Sequence, residues 1–162
     1  TNEAAVRAAL EAQAGWPGAP AARRALALTD GRAESPLETR GRLRLVGAAL
    51  APTDLQVEIR SGGRLVAVVD AWYDEAAVAV EFDGRVKYTA PWREPGRVLW
   101  EEKRREDELR ALDIRVARIA DEDLDASWPA VQNHLARLVS RSGPVDRRFT
   151  ATPRPRGRVR SA

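Results

Sequence analysis

The 162-residue sequence has no cysteine, no methionine and one histidine, His134. Without cysteine there is no disulfide framework and no thiolate metal site. That composition fits a reducing cytoplasm, the expected location. A lone histidine so late in the chain, with no cysteine, leaves no nucleophile–base triad to assemble. No apolar run approaches the roughly 20 residues of a membrane span, and the Ala-, Glu- and Arg-rich start lacks the apolar core of a secretory signal. No membrane partner is therefore expected. With no methionine and Thr1 at its start, the chain reads as a segment of a longer one.

Apolar residues make up 44% of the chain, enough to bury the core of one domain with terminal extensions. The formal net charge is only +3, but it is unevenly placed. From Gly143 onward, Arg147, Arg148, Arg154, Arg156, Arg158 and Arg160 stand against one acid, Asp146. The expected organisation is a helical extension over 1–34, a folded domain over 35–141 and a disordered Arg/Pro-rich tail over 142–162.

Within the extension, Asn2 to Ala14 and Ala21 to Thr29 read as short helices separated by Trp16-Pro17-Gly18-Ala19-Pro20. Ser35-Pro36-Leu37-Glu38 is a capping box. It opens a helix to about Leu50, with Leu43, Val46 and Leu50 on one face. Leu55–Arg60 alternates as a strand, and Leu65–Trp72 and Ala76–Phe82 are nearly continuous apolar strands. The short link between the last two predicts an antiparallel hairpin. A long charged helix follows over Arg97–Leu112, with Val98, Glu102, Arg105, Leu109 and Leu112 on one side. Ile114–Ile119 is a fourth strand, and Ser127–Arg141 is a closing helix. The order α, β, β, β, α, β, α predicts an α/β fold, a mixed four-stranded sheet flanked by helices.

Two carboxylates interrupt the buried strands. Asp70 ends the run Val66-Ala67-Val68-Val69, and Glu81 ends Ala76-Ala77-Val78-Ala79-Val80, with Asp83 two residues on. A charge in such a setting costs several kcal/mol unless it is paired or bound to a cation. If the hairpin loop spans 74–77, Asp70 lies opposite Glu81 on one face, where like charges repel and a divalent cation resolves the repulsion. Hard oxygen ligands suit Mg²⁺. The plainer reading is that these acids are solvated at strand ends or paired with arginines. Lys87 follows closely and is placed to neutralise phosphate charge, although an ordinary exposed lysine explains it as well. Glu38 is explained by its cap. Lys103 and Arg104 lie on a helix face that is mostly solvated, and Trp92 stands in the loop beside the site, where it can stack on a base.

Taken in order, Ser35-Pro36-Leu37-Glu38, Val69-Asp70, Glu81-Phe82-Asp83-Gly84, Glu102-Lys103-Arg104-Arg105-Glu106-Asp107, Leu109-Arg110-Ala111-Leu112, the strand at 114–119 and Asp123-Leu124 resemble one family. It is the bacterial endonuclease-like domain related to the very-short-patch repair endonucleases, within the PD-(D/E)XK nuclease superfamily. The resemblance covers about 100 residues, and each motif alone is weak. It implies a restriction-endonuclease-like core and a phosphodiesterase site dependent on Mg²⁺ or Mn²⁺. Asp70 and Glu81 would be metal ligands, Glu38 an auxiliary acid and Lys87 the basic partner. Three departures stand out. Asp83 occupies the place of the family's lysine, Asp113 the place of a glycine before the fourth strand, and the histidines that the very-short-patch enzymes use after the corresponding glycine are missing.

The expected activity is hydrolysis of DNA, with Arg147, Arg148, Arg154 and Arg156 of the tail adding phosphate attraction. The alternative is a catalytically inactive nuclease fold used for DNA binding or regulation. Related domains of that kind sit at the end of abortive-infection antitoxin-like regulators, downstream of a DNA-reading domain. A protein-interaction domain without nucleic-acid contact ranks last.

Overall fold

Three consecutive strands, then a helix, a strand and a helix, build a layered α/β domain from this chain. The computed structural model describes residues 2–84 and 95–154. Lys87, Trp92 and Arg156 lie outside them. The chain divides into two units, Thr1–Gly31 and Arg32–Ala162. In the first, α1 (Glu3–Ala12) starts where the Asn2 side chain accepts the Ala4 N–H at 3.0 Å, and α2 (Ala19–Ala27) carries proline in its first turn.

The second unit runs α3 (Pro36–Gly47), β1 (Asp54–Ser61), β2 (Arg64–Tyr73), β3 (Val78–Asp83), α4 (Pro95–Ala111), β4 (Arg115–Ala120), α5 (Trp128–Val139) and β5 (Thr150–Pro153). The expected order is thus present, in a mixed sheet flanked by helices. The strands lie in the order β4-β3-β2-β1-β5, antiparallel throughout except for β3 and β4. The β3–β4 pair is parallel because α4 carries the chain from one to the next, the connection such a pair needs. One apolar layer joins Leu45 of α3 and Trp128 and Leu135 of α5 to Val78, Val80, Phe82 and Ile119 of the sheet. The other joins Leu109 of α4 to Val57, Val69, Trp72 and Ala79. No helix among the described residues is long and apolar enough to cross a membrane.

Two expectations need correction. The sheet has five strands, not four, and the fifth comes from the segment expected to be disordered. The Pro, Gly and Arg content of 142–162 hid a local signal, Phe149 followed by Thr150-Ala151-Thr152. Phe149 is buried edge-on against Trp72, with ring centroids 5.9 Å apart. The strand after it covers the open edge of β1, pairing Arg60 with Thr150 through Val57 with Pro153.

The buried stripe of α3 also differs. Leu43 is 39% exposed, while Gly41 and Leu45 are buried and Leu37 and Ala48 pack on the core. A period count gives glycine little apolar weight, yet here Gly41 is what admits the Phe82 ring.

The β2–β3 turn is held by a polar cluster. The buried Trp72 indole donates to Asp74 Oδ1 at 2.9 Å, and Arg147 donates to the same atom at 2.8 Å. These contacts, the Trp72 hydrogen bond first, hold the Asp74 carboxyl below its ordinary range. A depressed folded-state value means that this stabilisation is present above the ordinary Asp value of about 4 and is lost as pH falls through the folded value. Asp74→Ala is expected to cost about 1 kcal/mol at neutral pH. It should also flatten the acid limb of the stability profile, as followed by chemical denaturation at a series of pH values.

Candidate functional site

β2 and β3 pair as Tyr73 with Val78, Trp72 with Ala79 and Ala71 with Val80. The turn is therefore residues 74–77, and the pairing ends at Ala71 with Val80, one residue short of Asp70 and Glu81. There the ladder stops. The Phe82 N–H donates to Asp70 Oδ2 at 2.8 Å, so a side-chain carboxylate stands where a main-chain carbonyl would continue the sheet. The two strands part around that carboxylate.

The other Asp70 oxygen accepts from Gln56 Nε2 at 3.2 Å, and the same nitrogen donates to Glu38 Oε2 at 3.0 Å. Gln56 is only 6% exposed and has a φ of 51°, the left-handed region, in the middle of β1. A non-glycine residue there carries strain of about 1 kcal/mol or more. The strain coincides with a gap in pairing, between Leu55–Ala71 and Val57–Val69. The peptide so turned gives its carbonyl to the Arg154 N–H at 2.9 Å.

Glu38 has both roles raised by the sequence. Its N–H donates to the Ser35 hydroxyl at 3.2 Å, as an N-cap requires, and its Oε2 accepts the N–H of Glu34, one residue before the cap, at 2.7 Å. The same oxygen meets Gln56, so the start of α3 is tied through one carboxamide to Asp70. Gln56→Leu removes the bridge and leaves two carboxylates facing an apolar side chain. It is expected to lower stability by about 2 kcal/mol, measurable by urea denaturation.

Glu81 is held by arginines instead. Its side chain is 14% exposed and pairs with Arg105 of α4 at 3.2 Å and Arg118 of β4 at 3.5 Å. Arg118 also reaches Glu106 at 3.1 Å. Asp70, Glu81, Asp83 and Glu102 line one small cleft of about 60 Å³ with Arg105 and Arg118. Among the described residues that line it, four carboxylates stand against two guanidiniums, a formal excess of two negative charges.

That donor set is all hard oxygen, sits where two strands part and carries surplus negative charge, so its chemistry fits a divalent cation. The arrangement is not a preformed cage, because among the described residues no three of His, Cys, Asp and Glu are grouped to hold a metal. Glu81 faces its arginines, and an ion there has to compete with them.

The remaining expected residues are dispersed. Lys103 and Arg104 line a separate shallow depression with Trp100. There Arg104 pairs with Glu108 at 3.1 Å and stands 5.6 Å from the Trp100 ring centroid. Arg147 is held by Asp74, and Arg154 lies between Glu34 at 3.5 Å and Glu58 at 3.6 Å with only 15% of its side chain exposed. Arg148 is 67% exposed and donates to the Ala111 carbonyl at 2.7 Å. His134 lines another groove, beside Arg110 and Arg141. Asp113, where the resembling family has glycine, has a φ of 60°, a conformation that Asp tolerates better than most side chains.

The sequence reading did not assign Gln56, Glu102, Arg105 or Arg118 to the site. A signal existed for two of them. Glu102 and Arg105 shared the inward stripe of the charged helix with Leu109 and Leu112, and charges on a core-facing stripe ask for partners. Comparison with family models, with curated proteins and with solved structures returned no match.

Proposed function

We propose that this chain is a divalent-cation-dependent endonuclease domain, with a PD-(D/E)XK-type core, that hydrolyses phosphodiester bonds in DNA. The observation that carries the reading is that Asp70 and Glu81 line one cleft just past the end of the β2–β3 pairing, together with Asp83 and Glu102. Asp70 and Glu81 would hold Mg²⁺ or Mn²⁺, with Asp83 beside them. When bound, the ion supplies Lewis acidity towards the phosphoryl group and the attacking water. Gln56 and the Phe82 N–H fix the Asp70 carboxylate, and Glu38 fixes Gln56, so one ligand is oriented before anything binds. Lys87 is the proposed basic partner, because Asp83 stands where the family pattern has lysine.

A second reading has its own support. Glu81 is held by two arginines, as in a purely structural ion-pair network, and the lysine position is acidic. Both features suit a nuclease fold retained for DNA binding or regulation. Nicking of supercoiled plasmid by the full chain separates the two readings. Cleavage in Mg²⁺ or Mn²⁺ that stops in EDTA supports the nuclease. No cleavage with either ion, together with salt-sensitive DNA binding, supports the regulatory module.

A further inference from the structure

The Glu81 carboxylate collects guanidiniums from two different elements, Arg105 from α4 and Arg118 from β4. The arginine side chains are 35% and 38% exposed and the glutamate 14%, so the cations stand nearer solvent than the anion they cover. Arg118 has a second acceptor, Glu106 at 3.1 Å, which retains it if Glu81 is given up. A guanidinium fork matches a phosphate as well as it matches a carboxylate. The remaining groups in the cleft, Asp70, Asp83 and Glu102, repel a phosphodiester. A DNA backbone can approach only if the arginines turn to it, and a cation can use Glu81 only if they leave it.

We infer that Arg105 and Arg118 are the phosphate-binding groups of this cleft, held on Glu81 in the ligand-free chain and transferred to a DNA phosphate when Glu81 takes the cation. The inference rests on the proposed function for the identity of both ligands. Its consequence is positive coupling. Each ligand removes part of the cost of separating Glu81 from its arginines, so each raises the affinity of the other by the same factor, on the order of tenfold.

The test uses the full chain with Mn²⁺ as the metal probe, its affinity read from the free-ion signal in electron paramagnetic resonance. Arg105→Gln, Arg118→Gln and the double variant are compared with Glu81→Gln, and with Arg137→Gln as a control for net charge alone. Binding of a short labelled duplex, with and without Mn²⁺ at fixed ionic strength, is read by fluorescence anisotropy. The double variant is expected to bind Mn²⁺ about tenfold more tightly than the unmodified chain, while Arg137→Gln changes affinity by less than about twofold. The unmodified chain should bind duplex more tightly in Mn²⁺, and the double variant should bind it weakly with or without the ion. If the unmodified chain binds Mn²⁺ through Glu81 but the double variant gains no more than Arg137→Gln, the exchange is overturned and the nuclease reading stands. If no variant binds Mn²⁺ and Glu81→Gln changes nothing, the nuclease reading fails and takes the exchange with it.

Discussion

If the chain is the proposed nuclease, Asp70→Asn and Glu81→Gln are each expected to lower metal-dependent nicking by about 10²–10³-fold, the scale of losing one charged group from a reacting centre. Both substitutions keep the side-chain shape. At Asp70 the carboxamide oxygen still accepts the Phe82 N–H, while Gln56 keeps its hydrogen bond to Glu38 and gives up only the one to position 70, so the end of the β2–β3 pairing survives. Asp70→Ala would instead strand two buried donors and confuse folding with chemistry. At Glu81 the amide keeps an acceptor for Arg105 and Arg118, and Arg118 retains Glu106. Melting temperatures measured beside initial nicking rates should stay within a few degrees of the unmodified chain. A variant that cleaves at the original rate removes its residue from the metal site. An equal loss of cleavage and stability would mean that the carboxylate acts through the fold alone.

Gly41→Val abolishes stable folding of the second unit. A Cβ built at Gly41 would lie 2.0 Å from Phe82 Cε1, inside any real contact distance, and both residues are buried. Relief requires either a shift of α3 away from the sheet or ejection of the Phe82 ring from a core it shares with Leu45 and Ile119. Overpacking of this kind costs about 1–3 kcal/mol for small misfits and more where the neighbour cannot move. Phe82 is only 4% exposed in the core it shares with Leu45, Val80 and Ile119, so a cost above about 3 kcal/mol is expected. The contact also ties the helix of Glu38 to the strand of Glu81. The control is Gly47→Ala on the same helix, where nothing lies within 4 Å. It should raise stability by about 0.5–1 kcal/mol. Circular dichroism on thermal melting reads both.

The fold was legible where burial writes a period into the residues. Leu65 to Trp72 and Ala76 to Phe82 read as strands, and the link between them as a hairpin, whose turn does span 74–77. Ser35 and Glu38 announced the start of α3. The illegible parts depend on contacts between distant segments. Gln56 sits in an alternating strand as if it faced water, and nothing local discloses its left-handed backbone or the two carboxylates it bridges. Phe149 is one aromatic in a polar tail, and its meaning depends on Trp72 and on the unpaired edge of β1. Gly41 looks like a defect in a helix until Phe82 is placed against it. The arginines on Glu81 were foreseen only as a class of partner, because the sheet register and α4 together select Arg105 and Arg118.

The cleft where the β2–β3 pairing ends is the proposed divalent-cation site. Crystals of the full chain equilibrated with Mn²⁺ and a short duplex, with data collected at the manganese absorption edge, test this most directly. The predicted result is an anomalous peak with Asp70 and Glu81 oxygens about 2.0–2.3 Å away, close to the hard-cation distances for oxygen ligands, and with Arg105 and Arg118 moved off Glu81. A cleft without anomalous signal at saturating Mn²⁺, with both arginines still on Glu81, would contradict it and leave the arrangement as a structural ion-pair network.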